Sequence, residues 1–249
     1  MRLSMPMSYG EMNVAVEGLA RVFWRSIMII TAIMGTILMP FMPDSALAQT
    51  PAAASAKPVK LVVLGDSLTA GYGLPANAAF PARLQQALRG KSLDVEIVNA
   101  GVSGDTTSGG RDRLDWSVPP DTAAVIVELG ANDALRGLDP KVSRAALDEI
   151  LTKLKARNIA VLLCGMLAPP NYGADYAQAF NSLYPELAKK HGVPLYPFFL
   201  DGVAGKADLN LPDGMHPTAA GVDVIVGRIL PTVETWLRDL GTRQSAARP

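Results

Sequence analysis

The stretch VVLGDSLTAGYG runs from Val62 to Gly73. The apolar residues Leu61 to Leu64 lead into Gly65-Asp66-Ser67 and then into a turn with two more glycines. A short run rich in β-branched residues and stopped by glycine reads as a buried strand. A serine set on the turn that follows it is a candidate nucleophile at a strand end. The rest of the chain then has to supply a general base, a group that orients the base, and donors for an oxyanion.

Working outward from this turn, β-branched apolar runs alternate with longer amphipathic stretches. Strands are expected at Leu61–Gly65, Val95–Gly101, Ala123–Gly130, Ile159–Gly165 and Val193–Phe198. Helices are expected at Phe80–Gly90, with Gly90 past its end, and at Pro140–Asn158, with Pro140 suited to the first turn. Leu147, Ile150, Leu151 and Leu154 give the second of these one apolar face. Two more are expected at Ala174–His191, broken or kinked near Pro185, and at Thr218–Leu240, interrupted at Pro231. Strands alternating with helices imply βαβ units, hence an α/β fold with a parallel sheet covered on both faces. Five strands suit a flavodoxin-like order, in which ligands sit beyond the carboxyl ends of the strands.

Four polar clusters fall in the right places for that edge. They are Gly65-Asp66-Ser67, Gly101 to Asp105, Gly130-Ala131-Asn132-Asp133, and Asp213-Gly214-Met215-His216-Pro217. Each alone reads as an ordinary turn or cap. Together they meet a chemical need. A serine hydroxyl is a poor nucleophile without an adjacent base. Histidine suits that task, and a carboxylate on its second nitrogen fixes the tautomer. The chain has only two histidines. His191 falls at a helix end, where a cation favours the dipole. His216 sits three residues after Asp213, close enough for a direct bond within one loop. Oxyanion donors are expected from the backbone N–H of Ser67, the backbone N–H of Gly104 and the side-chain amide of Asn132.

Composition sets the outer limits. The chain has 249 residues, 49% of them apolar and 18% charged, so it can bury a sizeable core and is not a disordered chain. Lys+Arg and Asp+Glu balance at 23 each, which gives no electrostatic reason to expect nucleic acid as a partner. Residues 1–48 read as a signal peptide. Arg21 and Arg25 precede an uncharged apolar run, Ser26 to Met39, and Ala46-Leu47-Ala48 offers a small-residue cleavage site. The run is short for a membrane span, so cleavage after Ala48 and export to the periplasm are expected, with a retained anchor as the alternative. The preamble before Arg21 is long enough to fit a start at Met12. Residues 49–59 have a linker composition, 60–241 hold the body, and 242–249 are expected as a disordered tail. The single cysteine, Cys164, excludes an internal disulfide and reads as a small buried residue.

GDSLTAGYGL around Ser67, NAGVSGDT around Gly104, ELGAND around Asn132 and DGMHP around Asp213 and His216 occur in that order. On these blocks the sequence resembles the SGNH (GDSL) hydrolase family, in particular its bacterial thioesterase I/protease I/lysophospholipase L1 branch, often called arylesterases. The likeness extends over nearly all of Lys60 to Leu240. It implies a three-layer α/β/α sandwich, a catalytic set of Ser67, Asp213 and His216, and an oxyanion hole of Ser67, Gly104 and Asn132. It implies no metal and no cofactor. By the same resemblance the loop Ala134 to Leu138 lines an acyl groove and Met166 to Gly173 forms the other wall. Asp66, Ala134, Leu135, Ala168, Pro169, Asn171 and Tyr172 are therefore expected to bind substrate. Thioesterase-like relatives carry a bulkier apolar residue where Ala168 stands, which counts against a long-chain acyl-CoA preference here. Arg136 could meet an anionic group or be a solvated loop residue. The activity implied is hydrolysis of small-molecule aryl or short-to-medium acyl esters, with thioesters and lysophospholipids as further substrates, by a monomer. A carbohydrate O-acetylesterase and a non-catalytic lipid-binding protein are the competing expectations.

Overall fold

The computed structural model describes residues 58–246, with side chains through Thr242. The expected signal peptide, its cleavage site and most of the linker lie outside the described residues.

Five strands form one parallel sheet: β1 (Val59–Gly65), β2 (Val95–Gly101), β3 (Ala124–Glu128), β4 (Ala160–Cys164) and β5 (Leu195–Tyr196). Their order is β2-β1-β3-β4-β5, the flavodoxin-like arrangement. The helices are α1 (Ser67–Ala70), α2 (Phe80–Gly90), α3 (Thr107–Asp112), α4 (Leu114–Ser117), α5 (Ala131–Leu135), α6 (Pro140–Ala156), α7 (Ala174–His191) and α8 (Ala219–Ala246). The first connection, through α2, steps outward from β1 to β2. Every later one steps the other way along the sheet. Right-handed crossovers therefore place α2 on one face and α3, α6 and α7 on the other. The helix contacts agree, because α2 packs on α8 while α6 packs on α3 and α7. The sheet lies between these layers, and β3 is buried along its whole length.

The expected strands and helices recur with shifted ends. β3 stops at Glu128, since Leu129 and Gly130, the latter at φ +120°, already form the turn into α5. β5 is only two residues long, because Pro194 and Pro197 on either side have no N–H to add to the ladder. Neither Pro185 nor Pro231 interrupts its helix. Each proline removes one backbone bond. Buried Leu183, Tyr184 and Leu187 around the first, and Ile229, Val233 and Leu237 around the second, hold the helical course. The body also extends past its expected limits. Val59 already pairs with Val95, and α8 runs to Ala246 through the start of the expected tail. Cys164 is buried, as its surroundings in the sequence suggested.

Candidate active site

Tight packing shapes the nucleophile turn. A Cβ on Gly65 would collide with Thr69 and with the Glu128 carboxylate, so the β1–α1 corner needs glycine. Asp66 caps α1 by accepting a bond from Leu68 N–H (2.9 Å). Ser67 then opens the helix at the carboxyl end of β1. Gly71 at φ +82° ends α1, and its N–H and that of Tyr72 both donate to Ser67 O.

The loop before α8 carries the candidate base, His216. Leu211 N–H donates to His216 O (2.7 Å), and Asn210 bridges to Pro217, closing the loop on itself. Inside it, Asp213 Oδ1 accepts the N–H groups of Met215 and His216 at 2.9 and 3.0 Å. Asp213 Oδ2 lies 2.7 Å from His216 Nδ1, and His216 Nε2 lies 2.9 Å from Ser67 Oγ. With Nδ1–H donating to the carboxylate, Nε2 keeps a lone pair for the serine proton. The backbone N–H of His216, then that of Met215, then the imidazole pull the Asp213 carboxyl down to about 2. Its share of stability is present above the ordinary value of 3.8 and is lost only as pH falls through about 2. The orienting carboxylate is therefore ionised throughout the neutral range. Tyr72 lies over the imidazole, with ring centroids 4.4 Å apart.

The three expected oxyanion donors reach the same edge. Gly104 sits at φ +82°, a conformation suited to glycine. No hydrogen bond to the backbone N–H of Ser67 or Gly104 is made among the described residues. The Asn132 amide is engaged, donating to Asp105 O (2.9 Å) and to Asp66 Oδ2 (3.2 Å). An amide has two donor hydrogens, so serving an oxyanion means giving up or sharing one of these two bonds. Arg136 is exposed on the loop after α5 and donates to Gly104 O at 2.8 Å.

The substrate-binding set needs correction. Asp66 is fully buried and bonded to Leu68 and Asn132, so it shapes the turn and does not reach solvent. Ala134, Leu135, Ala168 and Pro169 line a cavity of about 360 Å³ that opens on Ser67 and His216. Asn171 and Tyr172 do not line it. Tyr172 instead donates its hydroxyl to Leu135 O (2.9 Å), tying one groove wall to the other. The cavity also takes Phe198, Leu200 and Ala204, which follow β5 and carry no sequence pattern pointing to a site. A larger groove, about 660 Å³ and bordered by Ile159, Val193 and Trp236, lies at the amino ends of β4 and β5, away from this chemistry. His191 bonds Asp148 at 2.6 Å and takes no part in the site.

Two buried carboxyls lie beneath the nucleophile. Glu128 accepts from the Thr69 hydroxyl at 2.8 Å. Burial, with the nearby Asp66 charge, holds its carboxyl well above the usual carboxylate range. Burial also raises Asp66 to about 6, against the partial opposition of its bonds from Leu68 and Asn132. A raised carboxyl binds its proton more tightly in the folded state. Its contribution to stability is complete below pH 3.8 and is lost as pH rises through about 6. Asp66→Asn should therefore gain melting temperature relative to the unmodified protein between pH 4 and pH 7. A difference that stays constant across that window would contradict the assignment.

A serine, a histidine and an aspartate in hydrogen-bonded sequence, with backbone donors beside the serine, define a serine hydrolase. The matching family model identifies the kind: the chain belongs to the GDSL-like Lipase/Acylhydrolase family, whose model covers residues 63–224. It is a carboxylic ester hydrolase with the SGNH fold. An arylesterase of Vibrio mimicus is 42% identical over 166 residues, spanning 66% of this chain and 83% of that protein. The Escherichia coli K12 protein named thioesterase 1/protease 1/lysophospholipase L1 is 44% identical over 158 residues, 63% of this chain and 74% of its own length. The crystal structure of TesA superposes with a TM-score of 0.68 at 37% identity, over 71% of this chain and 99% of that one.

Proposed function

We propose that the protein hydrolyses aryl and short-to-medium acyl esters, and with them thioesters and lysophospholipids, through an acyl-enzyme on Ser67. The observation that carries this reading is the Ser67–His216–Asp213 line at 2.9 and 2.7 Å, set at the mouth of an apolar cavity. His216 takes the Ser67 proton as Ser67 attacks the carbonyl carbon. The N–H groups of Ser67 and Gly104 and the Asn132 amide hold the oxyanion. His216 protonates the leaving alcohol or thiol, and water then releases the acid by the same steps in reverse. Ala134, Leu135, Ala168 and Pro169 border the acyl chain. The proposal includes export, with residues 1–48 removed and a monomer acting in the periplasm. Among the described residues no helix is long and apolar enough to cross a membrane.

The cavity's 360 Å³ lies near the low end of the roughly 300–1,000 Å³ usual for ligand pockets. On p-nitrophenyl esters from acetate to palmitate, kcat/KM should peak at short-to-medium chains and fall steeply beyond. A peak at palmitate would overturn the pocket assignment and leave the chemistry standing. The apolar walls, with Met166, Leu167 and Phe198 on the cavity, also argue against a carbohydrate O-acetylesterase, whose substrate presents hydroxyls. The complete triad argues against a purely lipid-binding role, which needs no nucleophile.

A further inference from the structure

Arg113 lies in SGGRDRLDW, a stretch whose residues carry no role in the chemistry above. Its guanidinium is nearly buried and makes four bonds. Nε donates to Asp105 Oδ2 (2.6 Å), Nη1 to Ala100 O (2.8 Å) and to Ser117 Oγ (3.0 Å), and Nη2 to Gly65 O (2.8 Å). Its side chain is 8% exposed and that of Asp105 13%. Burying a charged pair costs desolvation, and only good geometry with further acceptors offsets it. Here the acceptors sit at chosen places. Gly65 O and Ala100 O are at the carboxyl ends of β1 and β2, the two strands that present Ser67 and Gly104. Gly109 has no Cβ that would collide with the Asp105 carboxylate, so α3 can pass close beside it.

Each oxyanion donor is one or two links from this arginine. Ser67 follows Gly65 by two residues. Gly104 directly precedes Asp105. The Asn132 amide donates to the carbonyl of the same Asp105. We infer that Arg113 is a positioning residue for the oxyanion hole: it braces the ends of β1 and β2 and the Asp105 turn, so that three donors from three strand ends converge. The inference rests on the site reading above and adds a residue that never touches substrate. A planar fork can hold three backbone or carboxylate acceptors at once, whereas a lysine ammonium on a flexible stem cannot reproduce that spacing.

The test compares Arg113→Lys, Arg113→Ala and Asp105→Asn with the unmodified enzyme and Ser67→Ala. It measures kcat and KM on p-nitrophenyl acetate, inhibition by phenylboronic acid, and the melting curve. Displacing a catalytic group by about 1 Å can cost roughly a hundredfold in rate. For Arg113→Lys we expect kcat to fall about 10- to 100-fold with KM within about threefold. Boronate, which forms a tetrahedral anion on the serine, should lose affinity by a similar factor. Added guanidinium should restore part of kcat in Arg113→Ala and none in Asp105→Asn. If Arg113→Ala does not fold, the lysine and asparagine variants carry the test. Two results would overturn the inference: unchanged kcat in folded Arg113→Lys, or a loss explained wholly by the fraction unfolded with boronate affinity per folded molecule intact. Failure of the site reading would show separately, as turnover surviving in Ser67→Ala.

Discussion

Replacing Ser67 with alanine is expected to lower kcat on p-nitrophenyl acetate by at least about 10⁴-fold, and His216→Ala by a similar factor. The two losses should match because the residues act as one unit. In the proposed mechanism the 2.9 Å contact between Ser67 Oγ and His216 Nε2 is the route by which the proton leaves. Without the histidine the hydroxyl remains a weak nucleophile, and without the serine there is nothing to activate. The double variant should be scarcely worse than either single one. Asp213→Ala should cost less, since the imidazole can still accept a proton while poorly oriented. It loses its anchor on Nδ1, and the loop loses the two N–H bonds that Asp213 accepts from Met215 and His216. Retained turnover in Ser67→Ala would remove the nucleophile assignment. An Asp213→Ala variant worse than His216→Ala would remove the order of roles within the triad.

Asn132→Ala should lower kcat by about 10²- to 10³-fold with KM little changed, the signature of an interaction made mainly in the transition state. The amide starts out bonded to Asp105 O and to Asp66 Oδ2. In the proposed mechanism the longer, 3.2 Å bond to Asp66 is the one given up as the oxyanion forms. Charge developing on the substrate oxygen draws a donor more strongly than a bond already long. Alanine also leaves Asp66 without that partner in a fully buried place, so a melting curve must accompany the kinetics. A kcat within a few fold of the unmodified enzyme, in a variant that melts normally, would leave two backbone donors as the whole hole.

The sheet was legible because a parallel strand buried on both faces has to be a continuous apolar run, as Leu61 to Leu64 and Ala124 to Val127 are. Strand and helix ends were less legible, since tertiary packing decides them. Pro185 and Pro231 lie inside helices held by buried neighbours that local propensity does not register. The triad could be read because its chemistry demands rare residue types, and only two histidines were available. Arg113 and Tyr72 could not be read in the same way. One acts through backbone carbonyls that no side-chain pattern advertises, and the other lies against His216 only once the chain has folded. Phe198, Leu200 and Ala204 reach the cavity by long-range packing alone. Asp66 neighbours the nucleophile in sequence, which suggests either a substrate contact or a turn-shaping role, and its side chain turns into the core.

Acid and base share one loop, three positions apart, and that loop closes its own backbone before it meets anything else. The Asp213–His216 pair is thus a local module whose internal geometry costs little chain entropy to assemble. Only one link in the triad is remote, the contact between Ser67 and His216 across 149 positions. Turnover therefore serves as a gauge of a single joint. Under mild denaturant it should fade when that module undocks from the sheet edge, while the strands beneath are still paired.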